Sequence, residues 1–151
     1  MKDTSNVTPF KRLKETKPLF DPRDPKAQVS LVYALAIGSF AIMLFGNQFV
    51  DWIGMGLGVA AVVVSAAKRD EGVFWARSHF EFALRTVIIG AVGWLLVSLF
   101  GLILGLIPFL GPAVLFLAKA VIAVWVAVRC GFGYLKSSDT KVIENPVTWL
   151  I

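Results

Sequence analysis

An apolar run from Thr86 to Val128 constrains this chain more than any other feature of its sequence. Its one charged residue is Lys119, and a Pro-Phe-Leu-Gly-Pro segment at 108–112 divides it in two. A helix needs about 20 apolar residues to cross roughly 30 Å of hydrocarbon, so the run is long enough for two spans joined by a proline turn. A lone lysine at such a depth is costly. The run therefore predicts an integral membrane protein.

The composition favours the same class. Hydrophobic residues make up 57% of the 151 residues and charged residues only 17%, and the charges are concentrated at the ends and in one central loop. The net charge of +5 arises mostly from Lys and Arg beside apolar segments, where basic residues set topology and contact lipid headgroups. We expect anionic headgroups, and not nucleic acid, as the counter-charge. The single cysteine, Cys130, cannot form a disulfide within the chain and is interpreted as a packing residue.

Hydropathy predicts an all-α, polytopic protein with four transmembrane helices. The expected spans are about 28–45, 50–67, 85–107 and 112–134, within a membrane domain 27–135. A basic leader, 1–26, precedes this domain and a tail, 136–151, follows it. The leader has no early apolar core, so the first span is expected to act as an uncleaved anchor.

Basic residues predict the orientation of the spans. Seven lie in the leader, four in the loop from Lys68 to Arg85 and three in the region from Arg129 to Lys141, while the two tight turns contain none. Cytoplasmic segments carry the excess of Lys and Arg, so both termini are expected in the cytosol of a multi-pass protein of the bacterial inner membrane.

The segment before the third span predicts a short amphipathic helix at the membrane interface. Arg77, Glu81 and Arg85 follow one another at four-residue steps and share one helical face. Aromatic residues of such segments anchor at the interface, and the candidates are Trp75 and Phe82 here and Trp149 near the terminus. Anchoring aromatics with solvated charges would suffice to explain the segment.

Arg129, in the fourth span, gives these charges a second interpretation. Helical side chains lean toward their own N-terminus, so Arg129 leans back toward the membrane core and calls for a nearby carboxylate. The antiparallel third span brings Glu81 alongside. We therefore predict a cytoplasmic-side cluster of His79, Glu81, Arg85 and Arg129, with Glu81 as the partner of Arg129.

The same lean carries Lys119 toward the outer surface, where Asp51 begins the second span. We predict an outer-side ion pair between Asp51 and Lys119. Alternatively, Asp51 caps its own helix and interacts with the helix dipole.

Small residues recur at four-residue spacing inside the spans, at Gly54 and Gly58 and again at Gly101 and Gly105. Such pairs let helix backbones approach closely in a membrane. They predict packing seams within the four-helix bundle, with a homo-oligomer interface as the alternative.

Three segments carry a resemblance to a known family: Trp75 to Thr86, Val126 to Cys130 followed by two glycines, and Glu144 to Trp149. The pattern resembles that of an uncharacterised family of small proteobacterial inner-membrane proteins, which is similar in pattern to the core of the chloroplast inner-envelope protein-import component. The matching residues are His79, Arg85, Thr86, Arg129, Asn145, Pro146 and Trp149. The chain departs from the pattern at Val87-Ile88, where an aromatic residue is usual, and Lys119 is not part of it. The resemblance implies a four-span topology and only slightly favours a translocation-related role.

The sequence contains no nucleotide-binding, nucleophile–base or paired-carboxylate motif, and its single histidine cannot form a His-paired metal site within one chain. We predict no catalytic, cofactor-binding or metal-ligating residue and no enzymatic activity. The favoured function is a structural, assembly or accessory subunit of a larger membrane complex, in contact with other subunits or with copies of itself. The alternatives are a small transporter or translocation-channel component, and a quinone- or haem-associated redox accessory protein that would use His79.

Overall fold

Four long helices form the described part of the protein. The computed structural model describes residues 21, 23–46, 48–104 and 106–146. The helices are α1 (Pro25–Phe45), α2 (Gln48–Lys68), α3 (Phe74–Leu104) and α4 (Leu110–Ser138). Each is long and apolar enough to cross a membrane, and no strand occurs among these residues. The prediction of an all-α, multi-pass membrane protein with four spans is confirmed, while most of the basic leader lies outside the described residues.

Local sequence explains where α1 begins. The Asp24 side chain accepts a hydrogen bond from the Lys26 backbone N–H at 3.0 Å, and Pro25 occupies the first helical position. An acidic cap followed by proline is a typical start signal for a helix.

Two residues in left-handed backbone conformations flank α4. Phe109 precedes it with φ of 65°, at the turn after Pro108, and Thr140 follows it with φ of 55°. The Lys141 N–H donates to the Lys136 carbonyl at 3.1 Å across Thr140, which reverses the chain as helix C-terminal motifs do. The tail therefore folds back onto the bundle.

The helices are arranged so that α1 packs against all three others. In the described part of the chain α2 packs on α1 and α3, α4 packs on α1 and α3, and α2 and α4 do not touch. The helices thus lie in the ring order α1, α2, α3, α4, with contact across one diagonal only.

The bundle has two unlike ends. We call the end with the start of α1, the α2–α3 loop and the end of α4 the polar end, and the end with the two tight turns the apolar end. At the polar end, the Lys26 ammonium donates to the Ser138 carbonyl at 3.2 Å, which brings the start of α1 and the end of α4 together.

At the apolar end the helices stop at different heights. Phe40 packs on Trp94 with ring centroids 5.9 Å apart, and Phe45 packs on Phe116 at 6.5 Å. α1 ends five residues after Phe40, whereas α3 continues to Leu104, ten residues after Trp94, and α4 begins six residues before Phe116. At 1.5 Å per residue, the α3–α4 hairpin projects roughly 8 Å beyond the end of α1.

Among the described residues, no separate interfacial helix precedes the third span. α3 is continuous from Phe74, so the segment predicted to lie on the membrane surface forms its first part. Ala76, Phe80 and Ala83 of this segment are buried against the bundle. Apolar residues on the inward face of the segment explain this packing. The sequence-based interpretation had placed the segment on the membrane surface instead.

Candidate functional site

Buried polar side chains gather near the polar end, where α1, α3 and α4 meet the tail. His79 is fully buried, and Tyr33 of α1 is 1% exposed. The Tyr33 hydroxyl lies 2.9 Å from His79 Nδ1, and His79 Nε2 lies 2.9 Å from the Lys141 carbonyl oxygen. The histidine therefore links α1, α3 and the tail.

These partners determine the chemistry of His79. A carbonyl oxygen can only accept, so Nε2 carries the proton and donates to Lys141. In the neutral ring Nδ1 then accepts from the Tyr33 hydroxyl. Both ring nitrogens are used, and the ring also packs edge-on against Tyr33 and Trp75 at centroid distances of 6.0 and 5.8 Å.

A glycine on α4 makes room for Tyr33. A Cβ at Gly133 would overlap the Tyr33 hydroxyl, and it would lie 2.6 Å from Tyr33 Cζ. No real Cβ approaches that closely, so the glycine is required for the phenol ring to reach His79. By contrast, a Cβ at Gly131, on another face of the same helix, would meet no atom within 4 Å.

Arg129 forms the second part of the polar cluster. Its side chain is buried although it carries a charge, and its Nε donates to Thr86 Oγ1 at 2.9 Å. Thr86 in turn donates to the Phe82 carbonyl one helical turn earlier, at 2.7 Å. The guanidinium lies 4.2 Å from the Phe82 ring centroid and 5.5 Å from that of Trp125. Aromatic faces and a hydroxyl therefore stabilise a charge that would be costly alone.

The predicted pairing of Glu81 with Arg129 is wrong. Glu81 Oε1 lies 2.6 Å from Arg85 Nε, one turn along the same helix, and both side chains are partly exposed. The four-residue spacing lets this pair form locally, at the bundle surface, while Arg129 bonds to Thr86 inside the bundle. His79 and Arg129 are both in the cluster, but Glu81 and Arg85 lie outside it.

The three candidate interfacial aromatics have different positions. Phe82 is 2% exposed and lies beneath Arg129, so its predicted place at the interface is wrong. The reason is that Phe82 shares the buried face of α3 with His79 and Thr86. Trp75 is partly buried against His79, and Trp149 lies outside the described residues.

The predicted ion pair between Asp51 and Lys119 does not form among the described residues. The two side chains belong to α2 and α4, which do not touch. The Lys119 ammonium instead lies 5.1 Å from the Trp94 ring centroid, and one carboxylate oxygen of Asp51 is buried without a hydrogen-bond partner.

The glycine pairs lie at helix contacts where the structure describes them. A Cβ at Gly54 would be 2.6 Å from Met43 Cγ, and one at Gly58 would be 2.8 Å from Ser39 Oγ, both across the α1–α2 contact. Ser39 Oγ also donates to the Gly54 carbonyl at 2.7 Å. On α3, a Cβ at Gly101 would be 3.2 Å from Leu115 of α4, and Gly105 lies outside the described residues.

Sequence reasoning missed Tyr33 as a member of the cluster. The available signal was its position on the stripe of α1 that also carries Val29, Ala36 and Phe40, all of them buried. A tyrosine on a buried stripe needs a partner for its hydroxyl.

The contribution of the tail was also missed. The Ile143 N–H donates to Ser78 Oγ at 3.1 Å, beside the bond from His79 to the Lys141 carbonyl. Both bonds use backbone groups of the tail, which every residue carries, so the bonds themselves are not marked in the sequence. The available signal was Ile143, an apolar residue in a polar tail, whose side chain is buried in the core.

Described residues of the bundle line a cavity and a groove. An apolar one of about 200 Å³ lies between α1, α2 and α3, and a mixed groove of about 470 Å³ lies at the polar end between the start of α3 and the tail. Phe40, Met55 and Val59 are among the residues that line the first, whereas Arg69, Arg77 and Glu144 are among those that line the second. No group of three or more His, Cys, Asp or Glu side chains in the described residues could hold a metal ion.

Comparison with known proteins found no significant match to this chain. No protein-family model matches the chain, and no curated protein or solved structure matches it at a significant level.

Proposed function

We propose that this protein is a structural, assembly or accessory subunit of a larger membrane complex and has no catalytic activity of its own. The observation that carries this proposal is the use of the buried polar groups. Tyr33, His79, Thr86 and Arg129 hydrogen-bond to one another or to backbone carbonyls and so connect α1, α3, α4 and the tail. Hydrogen-bonded polar groups that join several helices favour a single packing, which suits a scaffold.

A small transporter or channel component is the alternative, and Lys119 favours it. Transport paths need polar groups through the depth of the bilayer. Apart from the polar cluster, the tryptophans and Asp51 in the first turn of α2, the candidate polar groups within the described spans are Ser39, Ser65, Ser98 and Lys119. This set is too sparse to form a continuous path, so the structural function is preferred.

A redox accessory function would require His79 to bind a haem or a quinone. Its two ring nitrogens already contact Tyr33 and the Lys141 carbonyl, and the side chain is fully buried. A ligand at His79 would have to break one of these bonds and open the bundle, which counts against this function.

The charges support a location in the bacterial inner membrane with the polar end in the cytosol. The described basic residues other than Lys119 lie toward that end, as the positive-inside rule requires, and they suit anionic lipid headgroups. Reporter fusions after residues 26, 70 and 151 should all give a cytoplasmic signal, and a periplasmic signal at residue 70 would contradict this orientation.

Partner subunits would contact the helices themselves, because the described connections are short. The α2–α3 loop spans only residues 69–73, and the other described connections are tight turns. Contacts with other subunits, or with further copies of this chain, would therefore use helix faces within the membrane or the polar end.

The proposal is tested by mass spectrometry of the gently solubilised native protein, together with flux assays in vesicles containing the purified protein alone. We expect co-purification with membrane proteins in a constant ratio, and no flux. Lys119→Leu should then keep both the fold and the complex. A protein that is isolated alone, conducts ions or solutes in vesicles, and loses this flux in Lys119→Leu would replace the structural function with transport.

A further inference from the structure

The two hairpins of the bundle form a step at the apolar end. α3 and α4 continue roughly 8 Å beyond the end of α1, as the Phe40–Trp94 and Phe45–Phe116 contacts show. The side chains of the projecting part are apolar and strongly exposed, among them Leu102 at 76%. The α3–α4 hairpin is therefore suited to a thicker layer of hydrocarbon than the α1–α2 hairpin.

A charged side chain lies near the end of α1, below the projecting part of the α3–α4 hairpin. Lys119 lies on the stripe of α4 that carries the buried residues Ala123 and Val126, so it faces the bundle axis where α1 ends. Its ammonium lies over Trp94, and the side chain is partly exposed.

No carboxylate of the described residues neutralises this ammonium. Asp51 is the one described carboxylate at the apolar end, and it belongs to α2, which does not touch α4. The indole face of Trp94 stabilises a cation but leaves most of its donors for another partner. The site is therefore complementary to an anion.

The two hairpins also differ in the length of their helices. α1 and α2 have 21 residues each, whereas α3 and α4 have 31 and 29. A bilayer responds to neighbouring apolar segments of different length by becoming thinner beside the shorter ones.

The geometry points to a phospholipid site at this step: the phosphate of a lipid in the leaflet at the apolar end contacts Lys119, and the bilayer is locally thinner beside α1 and α2. The ammonium is a compact point charge and a good phosphate ligand, and the projecting α3–α4 hairpin supplies an apolar wall beside the lipid. This site does not depend on which complex the protein serves.

Spin labels test the local thinning. The full chain, with Cys130→Ala as background, would be labelled through cysteine either at Trp52, in the first turns of α2, or at Phe109, at the α3–α4 turn; both side chains are exposed. In vesicles of dioleoyl phosphatidylcholine and phosphatidylglycerol, collision with oxygen and with a water-soluble nickel chelate reports the depth of each label. We expect both labels at headgroup depth, although the protein places them at different heights.

Two results would overturn the inference. A label at Trp52 with the accessibility of deep hydrocarbon would mean that the bilayer is not thinned there. A label at Phe109 that is fully aqueous would mean that the hairpin projects into water from a bilayer of ordinary thickness.

Substitutions at Lys119 test the phosphate contact. Lys119→Met should move the Trp52 label toward hydrocarbon and weaken binding of phosphatidylglycerol to the detergent-purified protein roughly fivefold, the effect of one basic residue near a membrane surface. Lys119→Arg should preserve both, and Lys119→Gln serves as a second neutral variant should the methionine variant misfold. Free inorganic phosphate should not compete. Competition by free phosphate, equal lipid binding by all variants, or a dimer whose contact buries Lys119 would each contradict a lipid site.

Discussion

The polar and apolar ends of the bundle use their large side chains in opposite ways. Near the polar end Tyr33, His79 and Arg129 are almost completely buried and hydrogen-bonded. Toward the apolar end, Leu102 and Phe109 are 76% and 93% exposed. In a bilayer the exposed apolar residues carry no penalty, so helix association depends on close packing and on polar contacts between helices. The stability of this fold should therefore be concentrated near the polar end.

Replacing Arg129 by alanine should give the largest loss of stability. The change removes the bond to Thr86 and the stacking on Phe82, and it leaves a void beside Trp125. We expect a loss of about 3 kcal/mol in the free energy of unfolding, measured in detergent. Arg77→Ala, at an exposed position of α3, is the control and should change this free energy by less than about 0.5 kcal/mol. Equal effects of the two changes would show that Arg129 does not stabilise the fold.

Gly133 and Gly131 allow a matched test of packing in the same helix. Gly133→Ala should destabilise the protein by roughly 1–3 kcal/mol, because the new methyl group would overlap Tyr33. Gly131→Ala meets nothing within 4 Å and should be neutral or stabilising by up to about 1 kcal/mol, the helix preference for alanine. The melting temperatures of the two variants, measured by thermal unfolding, test this difference. Similar melting temperatures would contradict the close approach of α4 to Tyr33.

Phe109→Gly should raise stability at the opposite end of the molecule. Phe109 has a φ of 65°, which costs an ordinary residue about 1 kcal/mol and glycine almost nothing, and its side chain has little packing to lose. We expect an increase of at most about 1 kcal/mol in the free energy of unfolding. A loss of stability in this variant would show that the exposed ring makes contacts that matter to the fold.

The smallest effect is expected from Leu102→Ala, which shortens an exposed side chain on the projecting hairpin. It should change the free energy of unfolding by less than about 0.5 kcal/mol. A large loss would mean that the apolar end contributes as much to stability as the polar end.

The spans and their tight turns could be predicted from the sequence because hydropathy, length and proline act locally. Pro108 and Pro112 mark the α3–α4 turn without any knowledge of packing. The pairing of charges could not be predicted in the same way. Glu81 had one candidate partner on its own helix and another across the bundle, and the local pair with Arg85 formed.

The sequence also did not show which helices are neighbours in the bundle. The pairing of Asp51 with Lys119 assumed that α2 and α4 meet, and only the packing order of the helices excludes this. The role of Tyr33 depends on Gly133, three helices later in the chain, and on His79 between them. Such contacts join stripes on three helices, and each stripe alone is an ordinary apolar helix face.

The protonation of His79 tests most directly whether the polar end is closed by an internally paired network. The chain has one histidine, so selective ¹⁵N labelling gives a single imidazole to observe by NMR. Because the ring is fully buried and its Nε2 donates to a carbonyl, we expect a singly protonated ring, with the proton on Nε2 and with Nδ1 accepting from Tyr33. Tyr33→Phe should then shift the Nδ1 resonance while Nε2 stays protonated, and Tyr134→Phe, on the exposed side of α4, should leave both unchanged. A doubly protonated ring, or one that exchanges freely between tautomers and ignores Tyr33→Phe, would contradict the network.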